Sequence, residues 1–341
     1  MDIAVLVNLR ARRGSERIAR ACHAALPSAR IVASRTLREA QNFARSLREE
    51  PAELIVSAGG DGTALALLNA MRAPGDGAGA TMTGKAALGL LPLGTGNGWA
   101  SATGAPRWRR ALVELARLAR RRVASLPLRR FDLIEVEGTV SPFSGTGWDA
   151  ELIDDFNAQK TDRSVLPERY RQGLVGYLRG LILRTIPRHL AQRALADVEI
   201  TNTGDDALTV DAEGRAVPLP GGEHGQVLYR GPVSVCGAGT TTEWGFGFRA
   251  FPFAGLVARR FHLRLYGATA GEAALRSPAL WRGVHPLPKM HDWLVTRCRA
   301  VFSRPVPFQI GGDRAGQREI VDFTLADQQV DLLDWAALRA A

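Results

Sequence analysis

The stretch from Glu53 to Met71, ELIVSAGGDGTALALLNAM, constrains the fold of this chain more strongly than any other. An apolar run at 54–56 leads into the glycine turn GGDGT at 59–63, and apolar residues at helical spacing follow. The pattern predicts a buried strand, a tight turn and a helix whose N-cap is Thr63. Glycines let a ligand approach the bare backbone, and the start of a helix attracts anions, above all phosphate. The stretch therefore predicts a phosphate-binding turn.

Asp61 is the unusual member of this turn, because a carboxylate repels phosphate unless Mg²⁺ or hydrogen-bond donors intervene. A plain strand–helix turn without a ligand is the alternative interpretation. The acid between glycines, together with a second glycine loop further along the chain, favours the anion site. The spacing fits neither the Walker motif nor G-x-G-x-x-G, so we expect neither an ordinary P-loop nor a dinucleotide fingerprint.

The second glycine loop, PLGTGNGWA, runs from Pro92 to Ala100 directly after an apolar run at 87–91. Thr95 and Asn97 place small hydrogen-bonding groups beside bare backbone there. Apolar runs at 3–7 and 30–33 also alternate with helical patterns, which predicts a parallel, doubly wound sheet with its ligand at the carboxyl ends of the strands. Two glycine loops at strand ends of one sheet favour a nucleotide site.

The pattern changes in the second part of the chain. From Phe131 onward, short and often alternating apolar runs are separated by glycine and proline turns, which predicts an antiparallel β domain. The segment 164–194 instead has apolar residues at helical spacing and nearly unopposed arginines. It is either a helix packed on the β domain with a solvated basic face, or an interfacial helix that presents Arg179, Arg184 and Arg188 to anionic lipid headgroups. Both hold at once if only one stripe of the helix is buried.

The charge of the chain suits an anionic partner, because 44 lysines and arginines oppose 34 aspartates and glutamates and give a net charge of +10. A nucleic acid, a phosphorylated substrate and an acidic membrane surface all fit this charge, but no recognised nucleic-acid-binding module is present. The distant Cys22, Cys236 and Cys298 exclude a disulfide framework and a CxxC zinc site. No uncharged apolar run approaches the ~20 residues of a transmembrane helix, and the amino terminus lacks the order of a signal peptide. We therefore expect a cytoplasmic protein.

The two glycine loops carry a resemblance to a known family. GGDGT followed by LGLLPLGTGNGWA resembles the catalytic domain of the diacylglycerol kinase and sphingosine kinase family of lipid kinases. NAD kinases share the GGDGT loop, but their second loop does not resemble PLGTGN. Asn8 and Gly14 fit the early phosphate loop of the lipid kinases, with Leu9 where proline is usual, and Thr36 lies where the family has a threonine near the nucleotide. The later segments GTGWDAEL (145–152), GFGFRAFPFA (245–254) and PVPFQIGGDRAG (305–316) are similar to family segments as well.

The resemblance implies an NAD kinase-like fold with two domains and a cleft between them. The expected parts are a nucleotide-binding α/β domain at 1–128, a β-sandwich lipid-substrate domain at 129–310 with a basic helical insertion at 164–194, and a segment at 311–341 that returns to the first domain. It also implies ATP with Mg²⁺, the ion being organised by Asp61 either directly or through water. The residues implied for nucleotide binding are Asn8, Thr36, Gly59, Gly60, Asp61, Gly62, Thr63, Gly94, Thr95, Gly96 and Asn97.

The chain also departs from the family pattern. Gly98 and Trp99 replace the acid and the smaller apolar residue that commonly follow GTGN, and the segment before GFGF is more polar than in most relatives. Arg259 follows Ala258 where bacterial relatives have Asp-Gly, so we expect no structural metal at that position. The family's DGE becomes GGD at 311–313, which places Asp313 at the position of the glutamate that acts as general base. The resemblance implies that Asp313 is the base and that it faces the Asp61 loop across the cleft.

The sequence therefore predicts an ATP-dependent lipid kinase that transfers the γ-phosphoryl group to the hydroxyl of a diacylglycerol-like or sphingoid-like lipid. The acceptor lipid and an anionic membrane surface are the expected partners, and the protein is expected to bind that surface peripherally. One alternative is a kinase of a soluble substrate, similar to NAD kinase. The other is a catalytically weak regulator that binds nucleotide or lipid, which the shortened base at Asp313 and the missing Asp-Gly motivate.

Overall fold

The computed structural model describes residues 1–72, 82–84, 86–95, 97–120, 125–161, 175, 179–180, 183–184, 187, 195–244 and 247–340. The chain divides into two compact units. The first consists of Met1–Phe131 with Asp327–Ala341, and the second is Asp132–Ala326. The boundaries between the units therefore fall after residues 131 and 326, close to the predicted 128 for the first boundary.

The first unit is an α/β sheet with helices between its strands. Its strands are β1 (Ile3–Asn8), β2 (Arg30–Ser34), β3 (Leu54–Gly59), β4 (Ala87–Pro92), β5 (Leu128–Phe131) and β18 (Val330–Leu333). Its helices are α1 (Glu16–Ala25), α2 (Leu37–Glu49), α3 (Asp61–Met71), α4 (Gly98–Ala102), α5 (Trp108–Arg120) and α9 (Trp335–Ala340). Strands β1 and β3 are buried over nearly their whole length, as expected for parallel strands covered on both faces.

The sheet of the first unit is mostly parallel, in the strand order β2-β1-β3-β4-β18-β5. Strand β1 pairs in parallel with β2 on one side and with β3 on the other, and β4 pairs in parallel with β3 and β18. Strand β5 runs antiparallel to β18. From β1 the chain therefore proceeds first to one side and then to the other. Such a switch point opens a crevice at the carboxyl ends of the two strands.

The second unit is built on a large antiparallel sheet. Its strands are β6 (Ile134–Val136), β7 (Thr139–Ser141), β8 (Phe143–Gly147), β9 (Ala196–Asn202), β10 (Leu208–Val210), β11 (Ala216–Pro218), β12 (Val227–Val233), β13 (Val235–Gly239), β14 (Phe261–Tyr266), β15 (Met290–Val295), β16 (Arg297–Ile310) and β17 (Asp313–Leu325). Its helices are α6 (Trp148–Thr161), α7 (Ala270–Leu275) and α8 (Ser277–Arg282). The main order is β11-β10-β15-β14-β13-β8-β16-β17-β6-β7, while β9 pairs with β16 and β12. The predicted combination of an α/β domain with an antiparallel β domain is confirmed.

The predicted returning segment 311–341 is divided in the structure. Its first part, β17, pairs with β16 and belongs to the second unit, whereas residues from Asp327 onward belong to the first. Gly311 and Gly312 form the two-residue turn between β16 and β17, with φ values of 60° and 88°. Positive φ at both central residues is the requirement of a tight hairpin turn, and glycine meets it without strain. The chain therefore turns back on β16 at residues 311–312 before it reaches the first unit.

Most of the predicted basic insertion lies outside the described residues, and Arg188 is among the residues that are not described. Arg179 is half-buried and Arg184 is exposed. No helix in the described ranges is long and apolar enough to cross a bilayer.

Candidate active site

The residues that end β1, β3 and β4 lie at one edge of the sheet of the first unit. Asn8 is the last residue of β1, next to the switch point. Its Nδ2 donates to the Thr63 hydroxyl at 2.8 Å, and its Oδ1 accepts from the Arg10 N–H at 2.8 Å. Asn8 therefore connects the loop after β1 with the helix after β3, on the two sides of the crevice.

Helix α3 begins three residues earlier than the sequence predicts. Gly60 is its N-cap in an extended conformation, and Asp61 is its first residue. The prediction of Thr63 as N-cap is wrong, because Thr63 is already inside the first turn, where its hydroxyl accepts from Asn8. The first N–H groups of a helix lie at the positive end of its dipole. The N–H of Thr63 donates to the Gly60 carbonyl at 3.0 Å, whereas those of Asp61 and Gly62 precede the first intrahelical hydrogen bond. The start of α3 is therefore suited to a phosphate group.

The two glycine loops contact each other through their backbones. A Cβ added to Gly94 would lie 2.4 Å from the Cα of Gly60, and one added to Gly60 would lie 3.1 Å from the Cα of Gly94. The N–H of Gly94 also donates to the carbonyl of Gly59 at 3.1 Å. These glycines are therefore required for the contact between the loops, a role that is additional to any approach of a ligand.

Asp61 connects the same two loops with its carboxylate. Its Oδ2 accepts from the N–H of Gly98 at 2.8 Å, and its Oδ1 lies 3.3 Å from the N–H of Trp99, so that Asp61 caps helix α4. Burial raises the pKa of Asp61 to about 6, although the N–H groups of Gly98, Trp99 and Ala100 oppose this shift. The capping contacts explain why a buried acid is tolerated between the glycines of this loop.

Three more of the predicted nucleotide residues shape the same edge or its loops. Asn97 has a left-handed backbone with φ of 51°, and its side-chain amide closes the loop on the N–H and carbonyl of Gly94. Thr36 is exposed and caps α2 in a capping box with Glu39. Thr95 is half-buried in the second loop, and Gly96 lies outside the described residues.

The donors at this edge fit the phosphates of ATP better than they fit a metal ion held by protein alone. Within the described part of the chain, no group of three or more His, Cys, Asp or Glu side chains could hold a metal. Mg²⁺ in kinases is commonly bound through one or two carboxylates together with substrate phosphates, and it keeps several waters. Each Asp61 oxygen retains lone-pair capacity beyond its N–H contact, which fits the prediction of an interaction through water.

Asp313 lies on the second unit, as the first residue of β17. It is exposed, and it pairs with Ile310 across the Gly311–Gly312 turn. The turn is held by the N–H of Gly311, which donates to the Phe143 carbonyl at 2.9 Å, and by the N–H of Gly312, which donates to Gln309 Oε1 at 2.8 Å.

An apolar cavity of about 210 Å³, which the sequence does not predict, lies in the second unit. Its walls come from α6, β13, β14, α7, α8 and the segment near residue 250, and they include Trp148, Leu152, Trp244, Phe251, Tyr266 and Trp281. Two charged residues, Asp149 and Arg264, also line the cavity. Its volume is below the roughly 300–1,000 Å³ usual for drug-sized ligands, so it suits part of an apolar molecule. The quoted segment GTGWDAEL contains Asp149, but nothing in its spacing indicates a cavity.

The two charged residues of the cavity wall differ in their partners. Arg264 is paired with the buried Asp292, with 2.8 Å between Nε and Oδ1, and Asp292 also contacts His262 and His285 at 2.8 Å each. Asp149 accepts from Gln309 Nε2 at 3.0 Å through Oδ2, whereas its buried Oδ1 has no hydrogen-bond partner among the described residues. Burial raises the pKa of Asp149 to about 7, against the Gln309 hydrogen bond and the N–H groups at the start of α6.

Comparison with solved structures places the fold in a known class. A diacylglycerol kinase from Bacillus anthracis str. Sterne is similar at 14% identity, with 96% of each chain covered and a TM-score of 0.61. A second protein of that strain is similar at 16% identity, with 99% of this chain and 98% of that chain covered and a TM-score of 0.64. An NAD kinase from Archaeoglobus fulgidus in complex with ATP has 11% identity, with 100% of this chain and 96% of that chain covered and a TM-score of 0.50. The class is therefore that of the diacylglycerol kinase and NAD kinase fold.

The family model is more specific than these structural matches, which at such identities show the fold alone. Residues 2–128 match the model of the diacylglycerol kinase catalytic domain. No curated protein matches the chain significantly. The first part of the chain is therefore similar to a diacylglycerol kinase catalytic domain, and the resemblance predicted from the two glycine loops is confirmed over these residues.

Proposed function

We propose that this protein is an ATP-dependent lipid kinase that transfers the γ-phosphoryl group of ATP to the hydroxyl of a diacylglycerol-like or sphingoid-like lipid. The observation that carries the proposal is the apolar, aromatic cavity in a chain whose first part is similar to a diacylglycerol kinase catalytic domain. Transfer of a hydrocarbon chain from water into such a cavity is favourable, because it removes apolar surface from water. A dinucleotide acceptor, as in NAD kinase, would need polar groups along the walls. Among the described residues that line the cavity, only Asp149 and Arg264 carry charge.

The phosphates of ATP bind at the carboxyl edge of the first unit in this proposal. The N–H groups at the start of α3 donate to the phosphate oxygens, and the interlocked glycine loops hold those donors in place. Mg²⁺, when bound with ATP, supplies neutralisation of the charge that develops on the transferred group, and Asp61 would hold it through water. The proposed nucleotide residues are Asn8, Thr36, Gly59, Gly60, Asp61, Gly62, Thr63, Gly94, Thr95, Gly96 and Asn97.

Asp313 is the proposed general base that accepts the proton of the lipid hydroxyl. Asp313 is exposed at the start of β17, directly after the Gly311–Gly312 turn. Phosphoryl transfer passes through a loose transition state, so positioning and charge neutralisation supply most of the rate and the base a smaller part. An aspartate in place of glutamate is compatible with activity for that reason.

The lipid acceptor is also proposed to come from a membrane. The net charge of +10 and the arginines of the segment 164–194 support peripheral binding to an anionic bilayer on the cytoplasmic side. A basic surface raises the local concentration of the enzyme where its apolar substrate lies.

The test is transfer of label from γ-labelled ATP to a panel of acceptors. Diacylglycerol, a sphingoid base and a ceramide are presented in mixed micelles, and NAD is presented in solution. We expect one lipid to be phosphorylated and NAD to remain unlabelled. Labelled NAD with unlabelled lipids would establish the soluble-substrate kinase instead.

A catalytically weak regulator is the second candidate, and the engagement of both Asp61 oxygens with N–H groups favours it. A regulator would bind ATP and lipid in the same assay but would transfer no label to any acceptor.

A further inference from the structure

Gln309 makes a buried hydrogen-bonded connection between the cavity wall and the hairpin that carries Asp313. Its side chain is fully buried near the end of β16. Its Oε1 accepts from the N–H of Gly312 at 2.8 Å, and its Nε2 donates to Asp149 Oδ2 at 3.0 Å. Asp149, in the first turn of α6, is also buried and is 160 positions away in the chain. Three segments therefore meet at one side-chain amide.

The chemistry of the two partners permits only one orientation of the Gln309 amide. The N–H of Gly312 can only donate, and Asp149 can only accept once it is ionised, above a pH of about 7. The amide oxygen must therefore face the hairpin, and the amide nitrogen must face Asp149. A reversed amide would place donor against donor and acceptor against acceptor.

The surrounding backbone leaves room for this contact and little else. A Cβ added to Gly145 of β8 would lie 2.2 Å from Asp149 Oδ2 and 3.3 Å from Gln309 Nε2. The backbone carbonyl of Gln309 is held by the Ser144 hydroxyl at 2.6 Å. Helix α6 also approaches β17 directly, since Asp154 Oδ2 lies 3.4 Å from Arg314 Nε, next to Asp313 in sequence. The position of the hairpin is thus set from α6 and from β8.

The buried carboxyl of Asp149 has a high desolvation cost when it is ionised, which a purely structural contact does not require. Burial raises its pKa to about 7, and its Oδ1 has no hydrogen-bond partner among the described residues. A neutral acceptor would hold the Gln309 amide at less desolvation cost. Because Asp149 lines the cavity, the same carboxyl contacts both the wall of the proposed lipid site and the residue that fixes the hairpin.

We propose that Asp149 and Gln309 are positioning residues, which hold the Gly311–Gly312 turn so that Asp313 is presented correctly to the acceptor hydroxyl. This inference rests on the proposed function, in which Asp313 is the general base. Neither residue exchanges a proton with the substrate. Asp149 and Gln309 instead determine the position of Asp313, because they hold the turn that Asp313 follows.

The decisive experiment exchanges the polarity of the pair. Gln309→Glu sets two carboxyl groups against each other, and we expect roughly 30-fold lower kcat at pH 8 with recovery towards pH 6, where the pair retains a shared proton. The double variant Asp149→Asn/Gln309→Glu restores a donor–acceptor pair, because the amide at 149 donates to the carboxylate at 309, whose second oxygen accepts from Gly312. We expect kcat at pH 8 within about threefold of the unmodified protein, and an unchanged KM for ATP in both variants.

Other titratable or charged groups near Asp149 could also affect the pH dependence of kcat in these variants. Glu151 on α6 and Cys236 on β13 interact with it electrostatically, and Arg264 lines the same cavity. All three are present in both variants, so only the exchanged pair differs between them. A recovery at low pH that appears in the single variant and is absent from the double variant therefore belongs to the pair.

Combining a Gln309 substitution with Asp313→Asn distinguishes a positioning role from a general loss of stability. Gln309→Met removes both hydrogen bonds at similar volume and is expected to lower kcat roughly 30-fold in the unmodified background, but less than threefold when Asp313→Asn is already present. Gln309→Met also replaces Gln309→Glu if the latter does not fold. Thr146→Val is the matched control, since it removes a buried hydrogen bond from Thr146 to the Cys236 carbonyl on the neighbouring strand and should leave kcat unchanged.

The outcomes are distinguishable from failure of the proposed function. If the unmodified protein phosphorylates no acceptor, the kinase proposal fails, and the positioning role fails with it. If the protein is active but the double variant stays as slow as Gln309→Glu, the positioning role alone is overturned. The same holds if the reductions in kcat caused by Gln309→Met and by Asp313→Asn multiply when the two substitutions are combined.

Discussion

Asp61 shows how one side chain can serve both structure and chemistry. Its carboxylate caps α4 through the N–H groups of Gly98 and Trp99 and so connects the two glycine loops. Asp61 is also the first residue of α3, where we propose that phosphate binds. Repulsion of the phosphates is reduced because the N–H groups neutralise part of the carboxylate charge.

Two substitutions at Asp61 separate its capping role from its charge. Asp61→Ala removes the cap and should reduce the free energy of unfolding by about 1–2 kcal/mol, with weaker ATP binding because the loops separate. Asp61→Asn keeps one acceptor for Gly98 and should lose less stability, while its turnover falls if the charge organises Mg²⁺. Urea unfolding and calorimetric ATP titration measure the two effects.

The control for this pair is Thr269→Ala, which removes the capping box of α7 in the second unit. It should lower stability by a similar amount without changing ATP affinity. If Asp61→Ala were as stable as the unmodified protein, Asp61 would not act as a cap.

The buried carboxyl of Asp149 should make the free energy of unfolding depend on pH, and the sign of this dependence follows from its raised pKa. Its pKa is about 7 in the folded chain against the usual 3.8, so between these values the folded state holds a proton that the unfolded state has lost. Stability from this group is complete below about pH 4 and is lost as the pH rises through about 7.

The corresponding test is Asp149→Asn, which cannot ionise. The free energy of unfolding of this variant, relative to that of the unmodified protein, should be higher at pH 8 than at pH 5. Urea unfolding at both pH values measures the difference. An equal difference at the two pH values would show that burial does not control this carboxyl.

At the scale of elements, the contact between the glycine loops determines the geometry of the proposed ATP site. Gly94→Ala places a methyl group 2.4 Å from the Cα of Gly60 and must push the loops apart. We expect ATP affinity to fall by about tenfold or more, because the N–H donors at the start of α3 shift. Gly89→Ala on β4 is the matched control, since its Cβ would have ordinary contacts no closer than 3.5 Å. Equal ATP affinity in the folded Gly94→Ala and Gly89→Ala variants would remove this edge from the nucleotide site.

Local patterns determine which elements could be predicted from the sequence. Strands β1, β3 and β4 are continuous apolar runs because both faces of a parallel sheet are buried, and the glycine loops follow them directly. The start of α3 was misplaced because the preference of threonine for N-cap positions competed with a turn in which Gly60 already supplies the cap. The sequence GGD at 311–313 predicts the proposed base, and its two adjacent glycines also indicate the tight hairpin that the structure shows.

The parts of the candidate sites that could not be predicted depend on residues far apart in the chain. The contact of Asp149 with Gln309 spans 160 positions, and the cavity collects residues from 148 to 290. Local spacing contains no information on such pairings, because they follow from strand order in a large antiparallel sheet. The sequence therefore does not predict the cavity on which the proposal of a lipid acceptor depends.

At the scale of the whole molecule, the excess of positive charge predicts salt-dependent binding to anionic membranes. Charge reversal at Arg179 and Arg184 should weaken binding to phosphatidylserine vesicles by at least about fivefold for each residue, because the loss of one arginine near the surface alone costs ~1 kcal/mol. Sedimentation with vesicles at low and high salt measures the effect, and Arg45→Glu on the first unit is the charge-matched control. Equal binding to neutral and anionic vesicles would contradict an electrostatic membrane contact.

The central claim is that the acceptor is a lipid whose hydrocarbon part occupies the apolar cavity. Ala273→Trp on α7 fills the cavity from its wall, whereas Gly271→Trp places the same side chain on the same helix where a Cβ has no neighbour within 4 Å. The measurement is the initial rate of phosphoryl transfer from labelled ATP to the acceptor lipid in mixed micelles. We predict that Ala273→Trp lowers kcat/KM for the lipid by about tenfold or more at unchanged ATP affinity, while Gly271→Trp retains the rate of the unmodified protein. Equal lipid kinetics in the two variants would contradict the account.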